Sequence, residues 1–122
     1  MYNGIEHTAI ATPGPEALAQ WYVDNLEFEI VHRYEGNVFV RANDGSMLEI
    51  IPSEGDPVDA KFKTPGIRHF AIKVDDFDAG VTDLEGKGIE IFTKVNASGN
   101  RLAFFHDPEG NIVHLIHREV KL

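Results

Sequence analysis

The sequence contains no cysteine. This absence excludes disulfides, thiolate zinc sites and cysteine nucleophiles together. Any metal that the protein binds must therefore be held by histidine, aspartate or glutamate, and the chain has 6 histidines and 20 acidic residues.

Basic residues are also scarce, because 11 Lys and Arg stand against 20 Asp and Glu, for a formal net charge of −9. A chain this acidic repels phosphate backbones, so we expect no nucleic-acid partner, and no basic cluster indicates binding to a membrane surface. No apolar run approaches the roughly 20 residues that span a bilayer. The first residues, MYNGIEHTAIATPG, lack the features of a signal peptide. We therefore predict a cytoplasmic protein whose residues 1–122 form a single domain.

The chain repeats itself internally. GIEHTAIAT resembles GIRHFAIKV, and NDGSMLEII resembles PEGNIVHLI. These matches align His7 with His69, 62 residues later, and Glu49 with His114, 65 residues later. Two independent matches at nearly the same offset indicate an internal duplication.

Each half is expected to form a strand, a helix and three further strands. Alternation and turn residues mark the strands, and apolar residues at helical spacing mark one helix in each half. Module 1 is predicted at about residues 4–52, a Pro- and Gly-rich linker at 53–65 and module 2 at about 66–118. The predicted strands are Gly4–Ala11, Glu27–Tyr34, Asn37–Ala42, Ser46–Ile51, Ile67–Val74, Ile89–Val95, Arg101–His106 and Asn111–His117.

Alternation along the first and last strand of each half predicts a shared polar cluster. Each of these strands has one apolar face suited to a helix and one opposite face with a single titratable group at the same relative position. Burying a carboxylate beside imidazoles is costly unless a cation pairs with it, and imidazole and carboxylate are good ligands for divalent metals. We therefore predict a metal site, with zinc or nickel first and iron, manganese or cobalt as alternatives. Its four ligands are His7, Glu49, His69 and His114.

The residues resemble the vicinal oxygen chelate superfamily, which includes glyoxalases, bleomycin- and fosfomycin-resistance proteins and extradiol dioxygenases. The resemblance rests on H-x-A-I, which opens each half, and on DPEGNIVHLI, which is close to the D-P-x-G-N-x-x-E-L of that superfamily. It implies an α+β fold of two tandem βαβββ modules that form a curved, U-shaped mixed sheet with helices on the convex side. It also implies a small-molecule substrate, a metal on the concave side and a homodimer, in which modules sometimes pair across chains.

The resemblance implies metal ligands at the same four positions, His7, Glu49, His69 and His114. The last position is usually glutamate in the superfamily and is His114 here. In the glyoxalase I branch the metal-bound glutamate moves a proton next to a carbonyl. We therefore expect Glu49 to act as ligand and base, and His114 to be a ligand that could also shuttle protons.

Three functions remain open on the sequence. The first is a metal-dependent lyase, isomerase or epimerase, although Ala11 and Ser53 replace the arginine and asparagine expected for glutathione binding in glyoxalase I. The second is an Fe(II) extradiol-type dioxygenase that uses two histidines and one carboxylate. The third is a non-catalytic drug- or ligand-binding protein.

The remaining histidines are given no site role. His32 has no counterpart in the second half. His106 is expected to face solvent or to bond the turn that follows it, and His117 lies on the packing side at a strand end.

Overall fold

Residues 1–122 are described by a computed structural model. The chain forms the order β-α-β-β-β twice, which confirms the predicted α+β class and the two βαβββ modules. The first half contains β1 (His7–Thr12), α1 (Pro15–Leu26), β2 (Glu29–Tyr34), β3 (Asn37–Arg41) and β4 (Met47–Pro52). The second half contains β5 (His69–Lys73), α2 (Phe77–Gly86), β6 (Thr93–Ala97), β7 (Asn100–His106) and β8 (Ile112–His117).

The two halves are compact units, residues 1–57 and 58–122, and the boundary falls inside the 53–65 segment. Each unit contains one four-stranded mixed sheet, in the order β1-β4-β3-β2 in the first and β5-β8-β7-β6 in the second. In both sheets the first and last strands of the unit pair in parallel, and the other neighbours pair antiparallel. The two units therefore share one topology.

The two largest differences from the predicted strands are at N-terminal ends. β1 begins at His7 rather than at Gly4, whose φ of 111° departs from strand geometry. β6 begins at Thr93 rather than at Ile89, because the amide of Ile89 donates to the carbonyl of Leu84 at the end of α2. An amide used to end a helix cannot also join a strand ladder.

One helix covers one face of each sheet. Apolar side chains of α1 (Leu18, Ala19 and Tyr22) and of α2 (Phe77, Val81 and Leu84) are buried. The residues of β4 and β8 on the helix side are buried too, namely Leu48, Ile50, Val113 and Leu115. Because neighbouring side chains on a strand point to opposite faces, the residues between them lie on the face away from the helix, called here the helix-distal face. Neither helix has the length and apolar character needed to cross a membrane.

The DPEGN turn fixes the start of β8 through one buried carboxylate. Asp107 is 4% exposed, and its Oδ1 accepts hydrogen bonds from the amides of Glu109 at 2.9 Å and Asn111 at 3.0 Å. Its Oδ2 accepts from Asn111 Nδ2 at 2.8 Å, and Gly110 supplies the left-handed conformation that closes the turn, with φ 83°. The aspartate of this motif therefore has a structural role that positions β8.

Replacing Asp107 with alanine is expected to lower the free energy of unfolding by about 2–3 kcal/mol, because three part-buried hydrogen bonds to a charged acceptor are lost together. Chemical denaturation measures the change. Asp44→Ala is the matched control: Asp44 also accepts a backbone bond in a turn, from Ser46 at 3.0 Å, but that bond is exposed to water. We expect the control to cost less than about 1 kcal/mol, and equal losses would contradict the assigned role of Asp107.

Candidate metal centre

The register of the parallel strand pairs places the predicted ligands equivalently in both units. In the first unit, His7 lies opposite Met47 and Glu49 lies opposite Ala9. In the second unit, His69 lies opposite Ile112 and His114 lies opposite Ala71. In each pair the last-strand ligand is therefore displaced by two residues from the first-strand ligand. A displacement of two keeps both side chains on the same, helix-distal face.

His7 and Glu49 form the first pair. Nε2 of His7 lies 3.6 Å from Oε1 of Glu49, whose side chain is 18% exposed. Nδ1 of His7 lies 2.9 Å from a carboxylate oxygen of Glu6. Because an ionised carboxylate can only accept, a neutral His7 carries its proton on Nδ1 and turns the lone pair of Nε2 toward Glu49.

His69 and His114 form the second pair, with ring centroids 5.0 Å apart. His114 is 3% exposed, and its Nδ1 lies 3.1 Å from the carbonyl oxygen of Leu115. Since a carbonyl only accepts, Nδ1 donates and Nε2 of the neutral ring carries the lone pair. His69, in contrast, is exposed.

Burial lowers the pKa of His114 below its usual value, because an imidazolium loses hydration in this position. The bond to the Leu115 carbonyl works in the opposite direction, and the nearby charges of His69 and Arg118 add to the lowering. His114 is therefore held as neutral imidazole, the form in which histidine binds metals.

An equivalent phenylalanine lies beside each pair. Phe39 on β3 is opposite Glu49, and Phe104 on β7 is opposite His114. The rings of Phe39 and His7 meet edge-on at 5.4 Å, and the rings of Phe104 and His114 are 4.6 Å apart. These phenylalanines were not among the predicted site residues, although the alternation along NVFVR and RLAFFH would have placed them on this face.

A β-bulge brings His32 to the helix-distal face of the first sheet. The β2–β3 register runs from Ile30 opposite Val40 to His32 opposite Phe39, so one residue is inserted between them. An insertion of this kind reverses the alternation, and His32 consequently lies beside Phe39 at 5.7 Å. His32 was given no site role because it has no counterpart in the second half, and alternation along β2 alone does not reveal the bulge.

The predicted ligands are thus brought together as two pairs. The structure contains no group of three or more His, Asp or Glu side chains that could hold a metal ion. A single centre built from all four residues stays a prediction.

The donor atoms of the first pair have a spacing that suits a divalent cation. Two ligands at about 2.0–2.1 Å from one cation lie about 3–3.5 Å from each other, and the His7–Glu49 separation of 3.6 Å is close to this range. Nδ1 of His7 and of His114 is held by a carboxylate and a carbonyl, the partners that usually orient metal-bound histidines. Both the donor spacing in the first pair and the hydrogen bonds that orient His7 and His114 therefore suit a divalent cation.

The other two histidines lie at or near strand ends. His106 is exposed, as expected, and its ring stacks on Phe92 at a centroid distance of 4.5 Å and an angle of 17°. His117 is half-buried at the end of β8.

The chain belongs to the Glyoxalase/Bleomycin resistance protein/Dioxygenase superfamily, whose family model matches residues 4–115. This finding confirms the resemblance drawn from the two H-x-A-I segments and the DPEGN turn. A search of the curated proteins finds no match to this chain.

Several solved structures are similar to nearly the whole chain. A glyoxalase family protein from Enterococcus faecalis is 28% identical with a TM-score of 0.77, and the match covers 95% of this chain and 98% of that one. The oxidase ChaP-H2 is 26% identical with a TM-score of 0.76, covering 97% and 95%. A lactoylglutathione lyase from Agrobacterium tumefaciens, at 22% identity and TM-score 0.73, covers 94% and 93% and supports the fold alone.

The lowered pKa of His114 predicts a pH-dependent stability of the metal-free protein. Below about pH 6.5, an unfolded histidine takes up a proton that the buried His114 of the folded protein does not. The free energy of unfolding should therefore fall as the pH drops from 7 toward 5, and less so in His114→Gln. Chemical denaturation of the chelator-treated wild type and of His114→Gln, repeated between pH 7 and pH 5, measures the two pH dependences. An equal fall of the free energy of unfolding in both proteins would contradict a neutral, buried His114.

Proposed function

We propose that the protein is a metal-dependent lyase, isomerase or epimerase that moves a proton next to the carbonyl of a small substrate. The observation that carries this proposal is the equal placement of His7–Glu49 and His69–His114 on the two sheets. Membership of the superfamily supports it, because the superfamily includes glyoxalases.

The four paired residues are the proposed ligands, and they supply three imidazole nitrogens and one carboxylate. Zinc or nickel suits this donor set best. The chemistry that a bound divalent cation supplies is polarisation of the substrate oxygens and stabilisation of the negative charge that develops on them.

Glu49 is the proposed base, since it is the one carboxylate in the two pairs. Its side chain is 18% exposed, so a substrate on the helix-distal face of the first sheet can reach it. Glu49 would accept the proton from carbon and return it to the neighbouring carbon, while the hydroxyl proton of the substrate passes from one vicinal oxygen to the other. Nε2 of His7 lies 3.6 Å from Oε1 of Glu49, so a cation bound by both residues would fix the position of the carboxylate.

For His114, the contacts support a ligand role more than a proton shuttle. Its ring is almost fully buried, lies against Phe104, and has Nδ1 committed to the Leu115 carbonyl. A shuttle needs both nitrogens to exchange protons with their surroundings, and only Nε2 is left here.

The substrate is proposed to be something other than a glutathione adduct. Ala11 stands where the glyoxalase I branch has the arginine that binds the glutathione carboxylate, and Ser53 replaces the expected asparagine. A neutral methyl group cannot attract a carboxylate. That the protein acts as a cytoplasmic homodimer stays a prediction.

A second candidate is an Fe(II)-dependent dioxygenase. The 26% identity to the oxidase ChaP-H2 favours it, as do two histidines and one carboxylate, His7, His69 and Glu49. A fourth protein ligand at His114 counts against it, because the substrate and oxygen both need open positions.

Metal analysis of the protein purified without added metal tests both candidates. We expect about one zinc or nickel per chain, since each chain supplies one set of four ligands. His69→Ala should lose most of it, whereas the control His106→Ala should keep it, because His106 is an exposed histidine on the same sheet that is not a proposed ligand. Oxygen-sensitive iron would favour the dioxygenase instead. Protein without metal, or equal retention in both variants, would contradict the proposed centre.

A further inference from the structure

Four rings of the second unit form a cluster next to the His69–His114 pair. The aromatic cluster consists of Phe62, Phe92, Phe104 and His106. Phe62 lies 5.9 Å from Phe92 and 5.4 Å from Phe104 between ring centroids, and Phe92 lies 6.1 Å from Phe104. His106 stacks on Phe92 at 4.5 Å.

Phe104 joins this cluster to the proposed ligands. Its ring lies 4.6 Å from that of His114 and 6.3 Å from that of His69. A molecule that reaches the ligand nitrogens from this face therefore has aromatic rings beside it as well.

The cluster is accessible rather than part of the core. Phe62 is 45% exposed, His106 is exposed, and Phe92 and Phe104 are half-buried. The apolar core of this unit lies on the other face of the sheet, where Val113 and Phe105 are fully buried. Rings that a fold does not need for its core, and that remain accessible to solvent, are characteristic of a ligand-binding surface.

The first unit carries a similar set independently. His7 meets Phe39 at 5.4 Å, Phe39 meets His32 at 5.7 Å, and His32 stacks on Tyr34 at 6.2 Å and 24°. The β-bulge is what places His32 in this row. Each pair of proposed ligands thus has a run of rings beside it.

We propose that the substrate carries a planar aromatic ring next to the vicinal oxygens, and that the aromatic cluster binds this ring. The proposal rests on the proposed function and adds the class of substrate to it. The cluster contains only phenyl and imidazole rings, so it selects for ring stacking rather than for charge. Ring pairs at 4.5–7 Å gain affinity beyond the area that they bury, and the spacings within the cluster lie in this range.

Binding of two matched hydroxamates to the zinc-loaded protein tests the proposal. Benzohydroxamate and cyclohexanecarbohydroxamate share one chelating group and differ in whether the six-membered ring is planar and aromatic. By titration calorimetry we expect benzohydroxamate to bind about five- to tenfold more tightly. Equal or weaker binding of benzohydroxamate would overturn the proposal.

Two variants and a control test whether the aromatic cluster causes the preference for benzohydroxamate over cyclohexanecarbohydroxamate. Phe62→Leu, in an exposed position outside the strands, and Phe92→Leu should each reduce the aromatic preference about threefold or more. Acetohydroxamate, which has no ring, should bind all proteins alike. Tyr2→Leu removes an exposed ring outside the cluster and should leave the preference unchanged. An unaltered preference in both cluster variants would contradict the proposal.

The acetohydroxamate arm separates this proposal from the proposed function. If the protein binds zinc and acetohydroxamate but does not prefer benzohydroxamate, the substrate class is wrong and the metal-dependent function stands. If it binds no zinc, or binds zinc without acetohydroxamate, the proposed function fails and the substrate class fails with it.

Discussion

Parallel pairing of the first and last strands in each unit is the constraint on which the site depends. The chain reaches the last strand only after a helix and two further strands, yet the sheet brings that strand directly beside the first. The register then decides which side chains can meet, because a slip of one residue would turn a ligand toward the helix. The turn at Asp107 protects this register in the second unit by fixing where β8 begins.

Hydrogen bonds at Nδ1 decide which ring nitrogen of two histidines could bind a cation. Glu6 holds His7, and the Leu115 carbonyl holds His114, so Nε2 is the available donor atom in both. The burial of His114 reinforces this by keeping the ring neutral. A histidine at the position where the superfamily usually has glutamate leaves Glu49 as the single carboxylate of the set. The first unit would thus supply the base, and the second would supply only neutral ligands.

Much of the fold was predictable, because the repeat and the strand alternation are local properties of the sequence. The same alternation selected His7, Glu49, His69 and His114, and the structure places them as two equivalent pairs. His32 was given no role because it has no counterpart in the second half. The β-bulge that places it beside Phe39 depends on how two strands pair, so neither strand sequence predicts it alone. The aromatic cluster was missed for a related reason, because Phe62 lies outside the strands and joins the other rings only through tertiary contacts.

The central proposal is that three imidazoles and one carboxylate of this chain bind a single cation. X-ray absorption at the zinc edge of the zinc-loaded protein tests it most directly, because imidazole rings add a characteristic outer-shell scattering that can be counted. We predict three imidazoles per zinc, with nitrogen and oxygen neighbours at about 2.0–2.1 Å. The His69→Ala protein, where it retains zinc, should have two. A wild-type spectrum with one imidazole or none would contradict the account.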